Sequence, residues 1–590
     1  MRSGLGRRGG RDPGVRRRER LGAVVGLLAG GTALGVGQFV AGLTGADGSP
    51  VVAVGQLQID FTPPWLKNFA ITNFGSNDKQ VLVGGILVVI AIFAAVIGAA
   101  ATRRLFYGMA GLAVFAVIGL TAAATRPTAS FAGLLPTLGA TAAAAAVMRI
   151  LIPLASPTAV RSDPSTWTKA PWLDAQHRAG PADASGLPAV PDLPAVPDGA
   201  AASEETGEPA GEPEWDDGDD GLVGAETADD GVAEGGPRRR SFLTASAATV
   251  GIAAGAGLAG RLLAERSSVA SAQKALRIPK PTVTPSALPA GVNLDVPGIS
   301  PFITSNANFY RVDTAIVLPQ VDPTSWQLRI HGMVERELTI SFDELIKRPL
   351  IEDYVTLCCV SEPIGGPYIG NALWLGTKLS SLLREAGIRA GADQLMCTSV
   401  DGFTSGTPVQ TVMDGRDALL AVAMNGTALP VAHGFPARMV VPGLYGYVSA
   451  TKWVTDINVT TFAGNYAYWA QRGWSQQAPI KTECRIDVPS GSNQVPAGRT
   501  AIAGVAWAQH KGIDAVHVRV DRGPWQQASL AVVPGIDTWR QWVWEWDAPR
   551  GNHVIEARAT DATGYTQTSL DAPPEPNGAS GYPMVQVAVA

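Results

Sequence analysis

Two adjacent cysteines, Cys358 and Cys359, stand where a short β-rich run, residues 353–357, meets a glycine- and proline-rich loop, residues 363–370. A cysteine at the end of a strand can serve as a metal ligand, because the thiolate is the binding form and such a loop leaves room for a cofactor. Free cysteine is also among the most buried residue types. Spacing alone therefore favours two small core residues over a ligand.

A second stretch, residues 424–453, carries His433, Arg438 and Lys452. An arginine guanidinium holds a phosphate through a fork of donors, and a lysine ammonium adds a point charge. A lone histidine is usually structural. Here its place five residues before Arg438, ahead of a Val-Val-Pro-Gly sequence, favours a site.

The stretch of residues 352–383 resembles the sulfite oxidase family of molybdenum enzymes. In that family, a Thr-Leu-x-Cys sequence at a strand end supplies the one protein ligand to the metal. Thr356-Leu357-Cys358-Cys359 fits this pattern, with Cys359 at the ligand position. The resemblance therefore implies that Cys359 binds molybdenum.

Residues 424–453 extend the resemblance, with a His-Gly-x-Pro-x-Arg element, the Val-Val-Pro-Gly turn and a Lys-Trp pair in the family's order. Residues 309–313 match the family segment that wraps the pterin, and its arginine, Arg311, also faces the substrate in sulfite oxidases. A surface arginine in a loop is the alternative, and the order of the three blocks favours the site. The resemblance runs from about Pro297 to the C-terminus.

This resemblance implies a set of functional residues. The implied catalytic residues are Cys359, which is also the metal ligand, and Arg311. The implied cofactor-binding residues are Phe309, Tyr310, Arg311, Asp313, Asp401, His433, Arg438, Ala450, Thr451 and Lys452.

Two positions depart from the family. Sulfite oxidases carry a basic pair after the ligand cysteine, where this chain has Pro363 and Ile364. The family's active-site tyrosine corresponds to Trp474, by ungapped extension from Lys452. These changes weaken anion binding and proton handling and count against sulfite, which the family oxidises. A sulfoxide or another S- or N-oxide, which would be reduced, is the alternative substrate.

Composition bounds the remaining possibilities. The chain has 590 residues, enough for several domains, and only 16% of them are charged. Its positive mean hydropathy of +0.13 indicates membrane segments. A net charge of −5 gives no sign of a nucleic-acid partner, and the four cysteines lack zinc-site spacing. No phosphate-binding P-loop is present.

Four apolar runs are long enough to span a bilayer: residues 21–43, 81–101, 105–124 and 131–152. Flanking arginines predict that the N-terminus and residues 154–237 are cytoplasmic. None of the four runs contains histidine, aspartate or glutamate, so no haem is predicted in this chain. Residues 1–153 are therefore expected to form an anchor or docking surface.

Residues 154–237 are rich in Pro, Ala, Gly, Asp and Glu, which predicts a disordered cytoplasmic linker. The next segment, 238–272, resembles a twin-arginine export signal, with Arg239-Arg240 before a modest apolar run. An ordinary fifth membrane helix is the alternative. Both interpretations put everything that follows outside the cytoplasm, and Ala270-Ser271-Ala272 is a candidate cleavage site.

The expected fold is multi-domain, with transmembrane helices first. A mixed α+β molybdopterin-binding domain follows over residues 297–480, with a strand and helix in 338–348, a buried strand at 395–400, a helix over 414–423 and a tight turn at 424–426. An all-β immunoglobulin-like sandwich ends the chain at residues 481–590, because short strands alternate with turns there. In the family such a domain mediates dimerisation, so a homodimer is implied.

The sequence thus predicts a multi-pass cell-membrane protein whose extracytoplasmic domain carries a molybdenum–molybdopterin cofactor. It would perform oxygen-atom transfer on a small oxyanion or an S- or N-oxide, exchanging electrons with a separate cytochrome or quinone-linked partner. The alternative is a non-catalytic, membrane-tethered scaffold with a degenerate oxidoreductase domain.

Overall fold

A computed structural model describes residues 13–44, 49–63, 78–126, 129–156, 237–266, 269–491 and 494–590. The predicted linker, 154–237, lies almost wholly outside these residues, so its disorder stays a prediction. The described part contains an N-terminal group of helices, a central α+β region and a C-terminal β-rich region.

Each predicted membrane run lies on a helix. The N-terminal helices are α1 (Pro13–Thr44), α2 (Pro50–Phe61), α3 (Asp78–Ala101), α4 (Leu105–Ala124), α5 (Phe131–Ala155) and α6 (Pro237–Arg266). All except α2 are long and apolar enough to cross a membrane. The short helix α2 lies between the first two predicted spans.

Glycines bring these helices close together. A Cβ atom added at Gly26 of α1 would clash with the backbone of Ala94 in α3, and one added at Gly35 would clash with the backbone of Ala253 in α6. Small residues at such contacts allow van der Waals packing between helices in an apolar environment. The helix α1 therefore packs against both α3 and α6.

The central region contains two sheets and several short helices. Its strands are β1 (Gln327–Gly332), β2 (Leu338–Ser341), β3 (Ile351–Cys358), β4 (Ile369–Lys378), β5 (Gln394–Ser399), β6 (Thr404–Pro408), β7 (Leu419–Met424), β8 (Thr427–Ala428), β9 (Arg438–Val440) and β10 (Val454–Thr460). Its helices are α7 (Ala270–Ala275), α8 (Phe342–Lys347), α9 (Leu379–Ala386), α10 (Val409–Met413) and α11 (Gly446–Ser449).

The first sheet has the order β3-β4-β7-β8, with β9 also paired to β7, and all its pairs are antiparallel. The second has the order β2-β1-β10-β5-β6, in which β1 and β10 run parallel. The core between elements of both sheets includes Leu328, Leu382, Leu420 and Ile457. The first sheet delivers the cysteine pair, and the segment entering β10 delivers Lys452.

One predicted element is wrong. Residues 414–423 were expected to form a helix, but a helix of five residues, α10, ends at Met413 and Leu419–Met424 form the strand β7. All six residues of β7 are buried. A short, continuously apolar run does not distinguish a buried strand from a buried helix by periodicity. Residues 419–424 form a strand because they pair with β4 and β9 on their two edges.

Other local predictions are confirmed. The strand β2 and helix α8 occupy the predicted 338–348 segment, and a capping box between Ser341 and Glu344 starts the helix. The strand β5 lies at the predicted 395–400 segment. The turn after β7 uses Asn425 (φ 51°) and Gly426 (φ 74°), the left-handed pair that a tight hairpin requires.

The C-terminal region is all β. Its strands are β11 (Glu483–Val488), β12 (Gln494–Val495), β13 (Gly498–Trp507), β14 (Ile513–Val520), β15 (Gln526–Gln527), β16 (Ser529–Leu530), β17 (Arg540–Ala548), β18 (Gly551–Asp561) and β19 (Met584–Val589). They form two sheets, ordered β11-β13-β17-β16 and β12-β19-β18-β14-β15, around one core. Trp542, Trp544 and Trp546 of β17 all face that core, as their alternation predicts. The immunoglobulin-like assignment stays a prediction.

Candidate functional site

The strand β3 carries the two cysteines to the end of the first sheet. Cys358 pairs with Ile369 of β4, and the Cys359 backbone N–H donates to the Tyr368 carbonyl at 2.9 Å. Successive side chains of a strand point to opposite faces. The two thiols are therefore directed to different surroundings, and only one of them is available to a site on a given face.

The surroundings distinguish the two thiols. Burial raises the pKa of the Cys358 thiol, and the neighbouring carboxylates Glu362 and Glu483 raise it further. Burial also raises the pKa of the Cys359 thiol, but the Ser361 backbone N–H, 3.4 Å from its Sγ, and the Lys452 ammonium oppose that rise. Cys359 is thus the cysteine beside the predicted cofactor-binding cation.

A glycine brings the predicted cationic residues together. His433 ends a single 3₁₀ turn, Val431–His433, and Gly434 follows with φ 107°. A Cβ atom added at Gly434 would lie 3.0 Å from the Cβ of Arg438 and 3.1 Å from that of Lys452. The left-handed conformation and this close approach both require glycine.

Arg438 is buried at the start of β9, and among the described residues its guanidinium donates to carbonyl oxygens alone. The acceptors are His433 at 3.1 Å, Ala450 at 3.3 Å and Met439 at 3.4 Å. Its guanidinium carbon lies 5.0 Å from the centre of the Trp374 ring. Burial lowers the pKa of Arg438 to about 10, and within the described ranges no carboxylate forms an ion pair with it.

Lys452 and Arg311 share one carboxylate. The Lys452 Nζ lies 2.8 Å from Asp313 Oδ2, and the Arg311 Nε lies 2.9 Å from the same oxygen. The Lys452 ammonium also donates to the Ala432 carbonyl at 3.2 Å. Burial lowers the pKa of Lys452 to about 8, although Asp313 opposes the shift. Two cationic side chains here thus share one described carboxylate, and the nearby Arg438 has no described ion pair.

His433 is a neutral member of this group. Burial lowers its pKa to about 4, and the positive charges of Arg438 and Lys452 act in the same direction. Its Nε2 lies 3.2 Å from the Asn306 carbonyl oxygen. Because a carbonyl oxygen only accepts, Nε2 carries the proton and Nδ1 is left as an acceptor.

The segment 309–313 lies against this group through its aromatic residues. Phe309 stacks on Tyr310 with ring centres 5.2 Å apart and meets the rings of Trp374 and His433 edge-on at 5.7 and 5.6 Å. A Cβ atom added at Gly370 of β4 would lie 2.9 Å from the Phe309 ring. The wrapping segment predicted from the sequence is therefore seated on β4.

The remaining predicted residues differ in position. Ala450 accepts from Arg438, and the buried Thr451 hydroxyl lies 2.6 Å from the Ser405 hydroxyl of β6. Asp401 accepts from the Phe403 N–H inside its own turn, at 3.2 Å. The structure thus assembles most of the predicted set around Arg438 and Lys452, while the contact of Asp401 with a cofactor stays a prediction.

The positions that depart from the family are neutral or aromatic here. Pro363 and Ile364 lie in the turn after Cys359, where the Gly366 N–H donates to the Pro363 carbonyl at 2.9 Å. Trp474 packs beside Tyr447 and Trp469, with ring centres 6.0 and 6.1 Å away. Trp474, the residue that the sequence matched to the family's tyrosine, therefore lies in an aromatic cluster.

Two asparagines that were not predicted from the sequence support the site. Asn425 accepts from the Leu373 N–H of β4 at 2.9 Å and donates to the Asn306 side chain at 2.8 Å. Asn306 in turn supplies the carbonyl that fixes His433. The Asn-Gly dipeptide indicated the turn, but nothing local indicated which partners its side chain would reach.

These contacts provide a fit test for a pterin cofactor, which carries a phosphate. Within the described residues, the buried Arg438 has no paired carboxylate and Lys452 shares Asp313 with Arg311, so an anion would compensate their desolvation. Cys359 adds a thiol of the type that binds soft metals. The residues therefore match an anionic, thiolate-bound metal cofactor.

Comparisons with known proteins agree with this chemistry. The family model described as oxidoreductase molybdopterin binding domain matches residues 315–469. Mitochondrial sulfite oxidase of Rattus norvegicus is 30% identical over 274 residues, which cover 39% of this chain and 49% of that protein. The chain thus spans about half the length of such curated relatives.

In two further comparisons, the match covers a larger share of the related protein. The uncharacterized oxidoreductase YuiH of Bacillus subtilis is 30% identical over 153 residues, covering 26% of this chain and 74% of that protein. The crystal structure of the sulfane dehydrogenase SoxCD from Paracoccus pantotrophus matches 46% of this chain and 76% of its own, with 25% identity and a TM-score of 0.42.

Proposed function

The chain belongs to the sulfite oxidase family of molybdopterin-dependent oxidoreductases, and we propose that it transfers an oxygen atom to or from a small oxyanion, S-oxide or N-oxide. When bound, the molybdenum cofactor supplies the two-electron oxygen-atom chemistry. The substrate is either sulfite, which is oxidised, or an S- or N-oxide, which is reduced.

One observation carries this proposal: the thiol of Cys359 faces a buried, cationic group. Arg438 has no described ion pair, and Lys452 shares its one carboxylate, Asp313, with Arg311. A buried guanidinium without a described counter-charge, beside a lysine that shares its own, is a costly arrangement in a purely structural protein. It is well suited to an anionic ligand, which would complete the hydrogen bonds of both side chains.

The residues have distinct proposed roles. Arg438 and Lys452 hold the cofactor phosphate, the first through its fork of donors and the second as a point charge. His433 stays neutral and presents Nδ1 as an acceptor to the pterin ring. Cys359 ligates the metal. Phe309 and Tyr310 form an aromatic wall that excludes water from one side.

Arg311 is the proposed substrate-binding residue. Its side chain is 40% exposed, unlike the buried Arg438, so a small anion from solvent can reach it. Pro363 and Ile364 add no charge beside Cys359, which favours a substrate of low charge over a dianion. A sulfoxide or N-oxide meets that condition, and sulfite remains the alternative that the family favours.

We further propose that the five apolar helices anchor the chain in a membrane and that the catalytic region lies on the extracytoplasmic side. A contact supports this topology. Ile316 of the central region packs against α2 near Gly55, and α2 lies in the loop that the flanking arginines assign to the outer face. The electron partner is then a separate cytochrome or quinone-linked protein on that face.

The domain division follows from this topology. The proposed units are the helices up to residue 153, a cytoplasmic linker, the fifth helix, the catalytic domain and a C-terminal domain from residue 481. By family resemblance, the last of these is a homodimerisation domain.

The decisive experiment measures molybdenum and pterin in the full chain, purified in detergent from a host that makes the cofactor. We expect near-stoichiometric molybdenum in the wild type, a large loss in Cys359→Ser and retention in the neighbouring variant Cys358→Ser. The last variant controls for loss of a buried thiol, because Cys358 lies in the core.

A folded wild type without molybdenum, from a host that loads a related enzyme, would favour the scaffold alternative. Equal losses in the two serine variants would contradict the assignment of Cys359. The rates of sulfite oxidation and dimethyl sulfoxide reduction are then measured with the molybdenum-containing protein. The faster reaction indicates whether the protein oxidises or reduces its substrate.

A further inference from the structure

The candidate signal cleavage site lies on a helix that is bound to the catalytic region. Cleavage after Ala270-Ser271-Ala272 would break the peptide bond between Ala272 and Gln273, inside α7. The Ala272 carbonyl accepts from the Leu276 N–H at 3.0 Å, and the Gln273 N–H donates to the Val269 carbonyl at 2.8 Å. Both sides of that bond are therefore engaged in helical hydrogen bonds.

Side chains hold α7 in position. Val269 is 7% exposed and packs in the same apolar cluster as Phe309 and Trp374. Its N–H donates to the Gln320 side chain at 3.2 Å, and the Gln273 amide donates to the Leu429 carbonyl at 2.7 Å. The helix thus shares packing with the aromatic wall of the site.

The chain after α7 stays attached to the same region. Leu276 and Ile278 pack against the central core. The Thr282 N–H donates to the Leu350 carbonyl at 2.7 Å, and Val283 accepts from the Glu352 N–H at 2.9 Å. Residues 282–283 therefore extend the sheet beside the start of β3, the strand that ends in the cysteine pair.

The helix before α7 is fixed as well. In α6, a Cβ atom added at Gly260 would lie 2.6 Å from the backbone of Gln38 in α1, and one added at Gly42 of α1 would lie 2.7 Å from the Gly260 carbonyl. Contacts of this kind hold membrane helices together by close packing. The export-signal segment thus resembles a built-in helix more than a detachable leader.

A second contact joins the catalytic region to the helices. The Ile316 side chain would lie 3.0 Å from a Cβ atom at Gly55 of α2. Ile316 belongs to the loop that continues from Arg311 and Asp313. This contact attaches the catalytic region to the N-terminal helices at a point other than its covalent connection to α6.

We propose that the chain is not cleaved after Ala272, that α6 remains as a permanent fifth membrane helix, and that α7 seats the catalytic region on the membrane helices. A peptidase needs an accessible, extended segment, and cleavage here requires α7 to unwind and Val269 to leave its cluster. Proteins that use twin-arginine export cross the membrane already folded, so α7 would be docked when a peptidase meets it. The proposal rests on the extracytoplasmic topology but not on the substrate.

The test uses the full chain with an N-terminal and a C-terminal epitope, produced in a host with twin-arginine export and cofactor synthesis. We expect one membrane-bound species of about 61 kDa that carries both epitopes, in the wild type and in Ala272→Leu alike. A C-terminal fragment of about half that size, beginning at Gln273 and absent from Ala272→Leu, would overturn the proposal.

Two single variants that introduce a charge into α7 test whether docking of this helix protects the chain from cleavage. Val269→Asp should undock α7 and produce the fragment, whereas Lys274→Asp, at an exposed position of the same helix, should leave the chain intact. If the Val269→Asp chain stays intact, docking of α7 is not what protects the chain from cleavage. A C-terminal epitope that protease reaches only after cell lysis would overturn the proposed topology, and with it this inference, whatever the molybdenum content.

Discussion

Replacing Thr356 with valine removes one hydroxyl from a buried network that joins β3 to the C-terminal region. The Thr356 hydroxyl donates to the Asn371 side-chain oxygen at 2.9 Å and accepts from the Trp539 backbone N–H at 2.8 Å. Its backbone bonds Asp537 and Gln509 on the C-terminal side. The residue is fully buried, three positions before the proposed metal ligand.

The magnitude follows from the two groups that lose their partner. Valine nearly matches the volume of threonine, so no cavity forms. The Asn371 oxygen and the Trp539 N–H are left buried without the hydroxyl, and each such group costs about 1–3 kcal/mol. We therefore expect a loss of about 3 kcal/mol. Thr356→Ser keeps both hydrogen bonds and removes one methyl group, which costs about 1 kcal/mol.

Thermal unfolding of the detergent-purified chain, followed by tryptophan fluorescence, measures the difference. At roughly 2 °C per kcal/mol for a large domain, Thr356→Val should melt about 6 °C lower than the wild type and Thr356→Ser about 2 °C lower. Molybdenum content should fall further in the valine variant, because β3 carries the ligand. A valine variant that melts with the wild type, or above the serine variant, would refute the reasoning.

Three further predictions concern the site and its borders. Gly434→Ala should lower molybdenum content and stability by about 1–2 kcal/mol or more, whereas Gly426→Ala, also at a position of positive φ but with open space around it, should lower stability alone; equal molybdenum contents would contradict this. Lys452→Met should lose more pterin than Lys452→Arg, which keeps a buried cation, as fluorescence of the released pterin would measure. Burial raises the pKa of Glu483 to about 8, so the native state keeps a proton that the unfolded chain loses above pH 4.5. Stability should therefore fall as the pH rises from about 4.5 to 8, and Glu483→Gln should flatten that profile in urea unfolding.

Local sequence features were sufficient for several elements. The Asn425-Gly426 pair predicted a tight turn because few other residues adopt two successive left-handed conformations. Alternation in β17 predicted one face for its three tryptophans. The helix expected over 414–423 failed because a short apolar run carries no period, and the pairing of β7 with distant strands is not encoded locally.

Some features of the site were likewise predictable from the sequence, whereas others required the fold. The order of motifs predicted Cys359, His433, Arg438 and Lys452. It could not reveal that Arg438 would be buried among carbonyl oxygens. The role of Asn306, 127 residues before its contact with His433, also required the fold.

The sequence by itself determined the family, the membrane-length helices and the identity of the thiol and cations, because residue types, their order and hydropathy are local properties. Only the tertiary structure decided that one carboxylate serves Arg311 and Lys452, that Thr356 bonds the C-terminal region, and that α7 is docked rather than free. Each of these depends on atoms from distant segments meeting in a buried place, where an unpaired polar group is costly and the partners must therefore be satisfied together.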